Sequence, residues 1–360
     1  MRFGITLPHY DYSLDSSSPI SFDDVARAAT SAEQAGFDAI YVSDHLSLDL
    51  AKYGGSVPLG GGSAPQFHSL DPLSTLAALS AITSTVTLGT LVLCEALRHP
   101  VMTAAIAHTI ADISGGRFSL GMGAGWYDPD YEIYGNEIPP VGERMTRLSE
   151  SVRIIRALFD GDTIEIDGEF YSSRGATLSS PLAGSSYRAH DIPLFLGGKG
   201  DRFLRIVARY AQGWNTCWAF EFDAYAERVS SLHRACEKYD RDPASVYQSL
   251  GLYCMVADTE KELHSHFDEI VRLSPDGVAD GKTLEMWRQG RLVGTTEQVA
   301  HQLVSWSELG VREIIVNPGF APFHVGSIDV IDHLGDCLRR ARDMAGLSER
   351  PMTNTASPVL

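Results

Sequence analysis

Ser43-Asp44-His45, which closes a β-branched run, is the stretch of this 360-residue chain most suited to chemistry. Histidine exchanges a proton near neutral pH, and an adjacent carboxylate can orient it or simply cap a turn. A second candidate is Gly197-Gly198-Lys199-Gly200, just ahead of a helical pattern from Asp201 to Tyr210. Unpaired amides at a helix N-terminus favour a phosphate, although glycines also tighten a strand-to-helix turn for structural reasons alone. This loop lacks the Gly-x-x-x-x-Gly-Lys frame and the following hydroxyl of a nucleotide-triphosphate loop. Gly121-Met122-Gly123-Ala124-Gly125-Trp126 departs from the dinucleotide fingerprint at its last position, and it follows a fourth strand rather than the first. Asp128, Asp130 and Glu132 lack a histidine set, and His264 and His266 fall on different sides of a helix, so no metal centre is predicted. Five widely spaced cysteines without a Cys-x-x-Cys pair read as small buried apolar residues.

The elements that must carry these residues alternate short apolar runs with longer amphipathic segments. Strand runs are read at Arg2 to Leu7, Asp38 to Ser43, Val86 to Leu93, Phe118 to Met122, Pro193 to Leu196, Gly213 to Thr216, Tyr247 to Val256 and Glu313 to Asn317. Helix signals follow them, as at Ser21 with Asp23 and Asp24 in the first turn, or Asp71-Pro72. Eight such units predict an α/β fold, a (β/α)8 barrel in one domain over residues 1–345, with insertions near 46–70, 160–191 and 270–292 and a flexible tail at 346–360. A barrel of this kind works at the C-terminal ends of its strands. His9 and Tyr10, Thr90 to Cys94, Trp126 and Tyr127, Trp214-Asn215 and Asn317-Pro318-Gly319 therefore join the two candidates.

With 29 basic and 46 acidic residues the formal charge is −17, which excludes nonspecific nucleic-acid binding and an anionic membrane surface as partners. No apolar run is long enough to span a bilayer and the first residues carry no export pattern, so a cytoplasmic enzyme is expected.

The chain resembles the bacterial luciferase-like flavin and deazaflavin oxidoreductases. The resemblance is carried by Phe37-Asp38-Ala39-Ile40-Tyr41-Val42-Ser43-Asp44-His45-Leu46, Leu88 to Leu93, Arg98-His99-Pro100, Gly115 to Trp126, Leu196 to Gly200, Gly213-Trp214-Asn215 and Gly294 to Val299. Ser-Asp-His after the second strand is similar to the branch that uses the deazaflavin coenzyme F420, whereas many monooxygenases of the family carry Glu-His-His nearby. The resemblance implies hydride transfer between reduced F420 and an organic substrate at a C=C, C=N or C=O bond. His45, Asp44 and Trp126 would form the catalytic set. Asp44, His45, Thr90, Leu91, Val92, Gly123, Gly197, Gly198, Lys199, Gly200 and Trp214 would bind the coenzyme, with a non-prolyl cis peptide at Leu91-Val92 under its ring. Lys199, helped by Arg202, would concentrate positive potential at the coenzyme's phosphate on an otherwise acidic protein. An FMN-dependent monooxygenase fed by a partner reductase, or a non-catalytic flavin-binding barrel, are the alternatives, and a homodimer is the implied assembly. Sugar-phosphate dehydrogenases of the family place a glutamate where Trp126 stands. That departure, with Tyr10, Tyr12, Trp126, Tyr127 and Phe320, points to a larger, less charged substrate.

Overall fold

The computed structural model describes residues 1–15, 19–48, 50, 67–178, 188–218 and 220–348. Eight parallel strands close on themselves: β1 (Arg2–Thr6), β2 (Ala39–Val42), β3 (Thr87–Thr90), β4 (Phe118–Gly123), β5 (Leu194–Gly197), β6 (Gly213–Thr216), β7 (Tyr247–Ala257) and β8 (Val311–Asn317). Each pairs with its successor, and β8 returns to β1 through Arg2↔Glu313 to Ile5↔Val316. This is the (β/α)8 barrel that the alternation of runs predicts.

Alternation along each strand separates two cores. In β2, Ile40 and Val42 face the helical shell, while Ala39 and Tyr41 join an interior cluster with Phe195, Ile315 and, toward the mouth, Tyr10, Leu91 and Phe323. Tyr41 fits only because its neighbours are glycines. A Cβ on Gly4 would stand 2.6 Å from its Cε2 and one on Gly89 2.3 Å from its Cε1. Its hydroxyl donates to the buried Glu313 carboxylate at 3.2 Å. Gly89→Ala is therefore expected to cost about 2 kcal/mol, since the ring is held at both ends and cannot yield. Urea unfolding measures this directly, and an unchanged midpoint would mean that the interior repacks freely.

Three local departures bear on the site. The run read as one strand from Val86 to Leu93 breaks after Thr90, where the Leu91–Val92 peptide is cis, and pairing resumes at Leu93–Cys94 against Met122 and Gly123 of β4. A further strand, Leu292–Thr295, pairs with the outer half of β7 and leads into a helix, Thr296–Glu308, whose Thr295 and Gln298 form a reciprocal cap. A short helix, Asp128–Ile133, interrupts the loop after β4.

The insertion at 160–191 contains the expected hairpin, Ile164–Asp167 against Ser172–Ala176, with 179–187 outside the described residues. In the 46–70 insertion Ser47–Leu48 pairs with Phe67–His68, and residues 51–66 lie outside the description. So does 349–360, most of the expected tail. Among the described residues no helix is long and apolar enough to cross a membrane.

Candidate active site

A cavity of about 740 Å³ opens at the C-terminal ends of the strands and is lined from β1, β2, β3, β4, β5, β6 and the loop after β8. Leu91 and Val92 supply an apolar wall. Val92 reaches its place because two strands offer glycine: a Cβ on Gly123 would lie 2.8 Å from Val92 Cγ2, and one on Gly197 3.0 Å from Cγ1. Thr90 does not reach the cavity. It is fully buried, and its hydroxyl donates to the Gly121 carbonyl at 2.8 Å and accepts from the Gly121 amide at 2.9 Å, stitching β3 to β4.

Asp44 and His45, neighbours in sequence, have different partners. Asp44 Oδ2 accepts from the Cys94 amide at 2.8 Å and from Arg98 at 2.7 Å, and its Oδ1 is buried with no hydrogen-bond partner among the described residues. Burial outweighs the stabilising arginine and amide, so the Asp44 carboxyl is pushed up to about 6. His45 instead places Nδ1 2.7 Å from Asp130 Oδ2, and Asp130 Oδ1 accepts the Leu46 amide at 3.1 Å. A carboxylate only accepts, so this pairing puts a proton on Nδ1 and leaves Nε2 as the nitrogen available to the cavity. Trp126 and Tyr127 meet the imidazole edge-on at 5.4 and 5.3 Å. Asp130 thus belongs to the site as the orienting carboxylate; its acidic neighbourhood is visible in sequence, its histidine is not. His9 is buried below, and desolvation lowers it to about 4.

At the other end of the cavity, Gly197 to Gly200 and Lys199 form the wall, and the helix Asp201–Tyr210 begins at Gly200 with no side-chain cap on its first amides. A Cβ on Gly200 would meet nothing within 4 Å, so this end faces open space. Lys199 Nζ lies 4.6 Å above the Phe220 ring. Arg202 donates to the Gly142 carbonyl at 2.8 Å and to Thr146 at 2.7 Å, tying its helix to Val141–Phe159. Trp214 stands under the loop and not in the cavity wall: it is fully buried, its indole N–H donates to the Gly198 carbonyl at 2.8 Å, and its ring stacks on Tyr225.

Several wall residues escape sequence reasoning. Trp218 follows β6 at a second cis peptide, Cys217–Trp218, and Arg144 donates to the Gly125 and Pro139 carbonyls from the helix after β4. Phe323 is positioned by Asn317, whose amide donates to the Gly319 and Ala321 carbonyls and so folds the loop after β8. Tyr10 hydrogen-bonds Ser43 at 2.7 Å and stacks on Tyr12. Cys94 and Cys217 line the cavity, contrary to the expectation that all five cysteines are buried; Cys236, Cys254 and Cys337 are. No group of three or more histidine, cysteine, aspartate or glutamate residues among those described is placed to hold a metal.

Residues 1–313 match the family model described as luciferase-like monooxygenase. An F420-dependent glucose-6-phosphate dehydrogenase of Nocardia farcinica is 27% identical over 319 residues, 82% of this chain and 87% of its own. Among solved structures, an F420-dependent secondary alcohol dehydrogenase in complex with an F420–acetone adduct aligns over 95% of this chain and 99% of its own, with a TM-score of 0.72 and 16% identity. An EDTA monooxygenase from Chelativorans sp. BNC1 aligns over 98% and 99%, with a TM-score of 0.73 and 15% identity. Both likenesses speak to the fold.

Proposed function

The chain belongs to the luciferase-like monooxygenase family, and from that premise we propose that it is an oxidoreductase transferring hydride between coenzyme F420 and the C=C, C=N or C=O bond of a small organic molecule. The observation that carries this reading is the His45–Asp130 pair in a cavity whose opposite end offers uncapped helix amides and a lysine. The cavity suits a flat ring with an anionic tail: Leu91 and Val92 wall it, and Asp44 Oδ1 is an acceptor that no described residue answers. The named relative from Nocardia farcinica supports F420 as the coenzyme.

When bound, the deazaflavin would supply a hydride from a ring carbon that stands where flavin has a nitrogen, a replacement that makes the reduced ring a hydride donor rather than an oxygen activator. The residues do the rest. Gly197 to Gly200, Lys199 and the first turn of Asp201–Tyr210 would hold the phosphate; Leu91 and Val92 would exclude water from one face of the ring. At the substrate double bond His45 Nε2 would give a proton to the atom that does not take the hydride, and Asp130 would stabilise the imidazolium before transfer. In the oxidising direction the same nitrogen accepts the proton of the substrate hydroxyl. Trp126 and Tyr127 hold the imidazole plane. Trp214 acts through the Gly198 carbonyl, by fixing the loop.

A cytoplasmic homodimer completes the proposal; Ile82, Met102 and Ile113, exposed on the helices Pro72–Ile82 and Pro100–Ile113, support a subunit contact there.

Titration with F420 and with FMN, oxidised and reduced, is the deciding experiment. Tighter F420 binding is expected; tighter reduced-FMN binding with oxygen-dependent product would instead establish a monooxygenase served by a partner reductase. Lys199→Ala is expected to weaken F420 binding by roughly tenfold or more, the scale of one charge-assisted contact. Unchanged affinity would move the phosphate elsewhere.

A further inference from the structure

We propose that the substrate is an uncharged, extended apolar carbonyl or alkene compound, with its reacting bond at His45 and its body on an apolar rim outside the cavity, and that a phosphorylated sugar is excluded. Two independent observations carry this inference, which rests on the deazaflavin reading only in assigning Lys199 to the coenzyme.

The first is the fate of the cations. Arg98 is held by Asp44 at 2.7 Å and Asp71 at 2.8 Å. Arg144 donates to two backbone carbonyls and Arg202 to a carbonyl and a threonine. Among the described residues that leaves Lys199 as the cavity cation without a hydrogen-bonded partner, at the end remote in sequence and in element from His45. A substrate phosphate placed near His45 would meet the Asp130 carboxylate, and the Arg98 guanidinium beside Asp44 is already shared with Asp71.

The second is the rim. Trp126 and Val141 line the cavity mouth and are 53% and 61% exposed; Ile133 and Tyr134, on the short helix and turn between them in the chain, are 48% and 49% exposed. Two apolar side chains, Trp126 and Val141, held exposed at the entrance of a cavity form a surface that an apolar ligand covers and a sugar does not.

Prodan, an uncharged naphthyl ketone whose emission shifts to the blue as it leaves water, tests this on the protein with and without F420. Binding with a blue shift is expected, weakened by about tenfold in Val141→Asp and retained in Val141→Leu. Val141 is the first residue of its helix, where an aspartate suits the exposed amides, so the variant folds. Displacement of prodan by glucose-6-phosphate, absence of prodan binding, or equal affinity of the two variants would overturn the proposal. So would a change of solution mass in Val141→Asp without a change in prodan affinity, which would make the rim a subunit contact. F420 affinity is read separately from its own absorbance; its loss with prodan binding intact would overturn the coenzyme assignment and leave the substrate class standing.

Discussion

His45→Ala is expected to lower the rate of hydride transfer by a factor of about 10²–10⁴ while leaving coenzyme affinity within about twofold. That split distinguishes a proton-transfer group from one that merely lines the ring. The geometry sharpens it further. Because Asp130 is engaged by Nδ1 at 2.7 Å and by the Leu46 amide at 3.1 Å, it sets both the tautomer and the position of the backbone that carries the imidazole. In Asp130→Asn the amide oxygen can still accept from Leu46, but the amide nitrogen then faces Nδ1 as a donor and forces the proton to Nε2. A positioning role predicts a fall in kcat of roughly tenfold or more, little change in KM, a larger solvent deuterium isotope effect as proton transfer becomes limiting, and partial recovery in Asp130→Glu. A merely structural role would instead lower thermal stability and kcat together with no new isotope effect. Equal activity of His45→Ala and wild type would remove histidine from the reaction altogether.

The contrast between His45 and Asp44 also shows where sequence reasoning reaches its limit. The barrel was legible because burial alternates along strands and turns every few residues along helices, and those periods are local. Seven of the eight strands fall where the apolar runs lie, to within a residue or two, and the third stops at Thr90, three residues before its run ends. The strand Leu292–Thr295 was not, because it is only four residues long and its partner is the outer half of β7, far back in the chain. Placing Ser43-Asp44-His45, Leu91-Val92 and Gly197 to Gly200 around one mouth follows from the topology alone. Which side chain meets which does not. Asp130 is 85 residues from His45, and Arg98 is 54 from Asp44; these pairs exist only once the barrel has closed. Thr90 and Trp214 illustrate the converse. Thr90 ends β3, yet the pleat turns it toward β4; Trp214, the second residue of β6, stacks on Tyr225 and lies beneath the loop, while Asn215 and Thr216 after it reach the wall.

Asp44→Asn is expected to stabilise the unliganded fold at neutral pH, by up to about 3 kcal/mol, and to weaken coenzyme binding. Burial raises the Asp44 carboxyl from 3.8 to about 6, even with Arg98 and the Cys94 amide favouring the anion. The native state therefore keeps a proton that the unfolded chain has already released, so this group's stabilisation is complete below about pH 4 and is lost as pH rises through about 6. Asparagine, neutral throughout, escapes that loss. Its amide oxygen can still accept from Arg98 and Cys94, and Arg98 retains Asp71, so no buried cation is stranded. The two proteins should have matching urea midpoints near pH 4 and diverge toward neutrality in favour of the variant. A variant that is instead less stable at neutral pH would show that the Arg98 pair is a net stabiliser and that Asp44 has a purely structural purpose. With the expected sign, an anion held at a cost in folding free energy, with Oδ1 unanswered by any donor among the described residues, is best explained by a donor that arrives with the coenzyme. Weaker F420 binding by the more stable variant is the result that would tie the two effects to one atom.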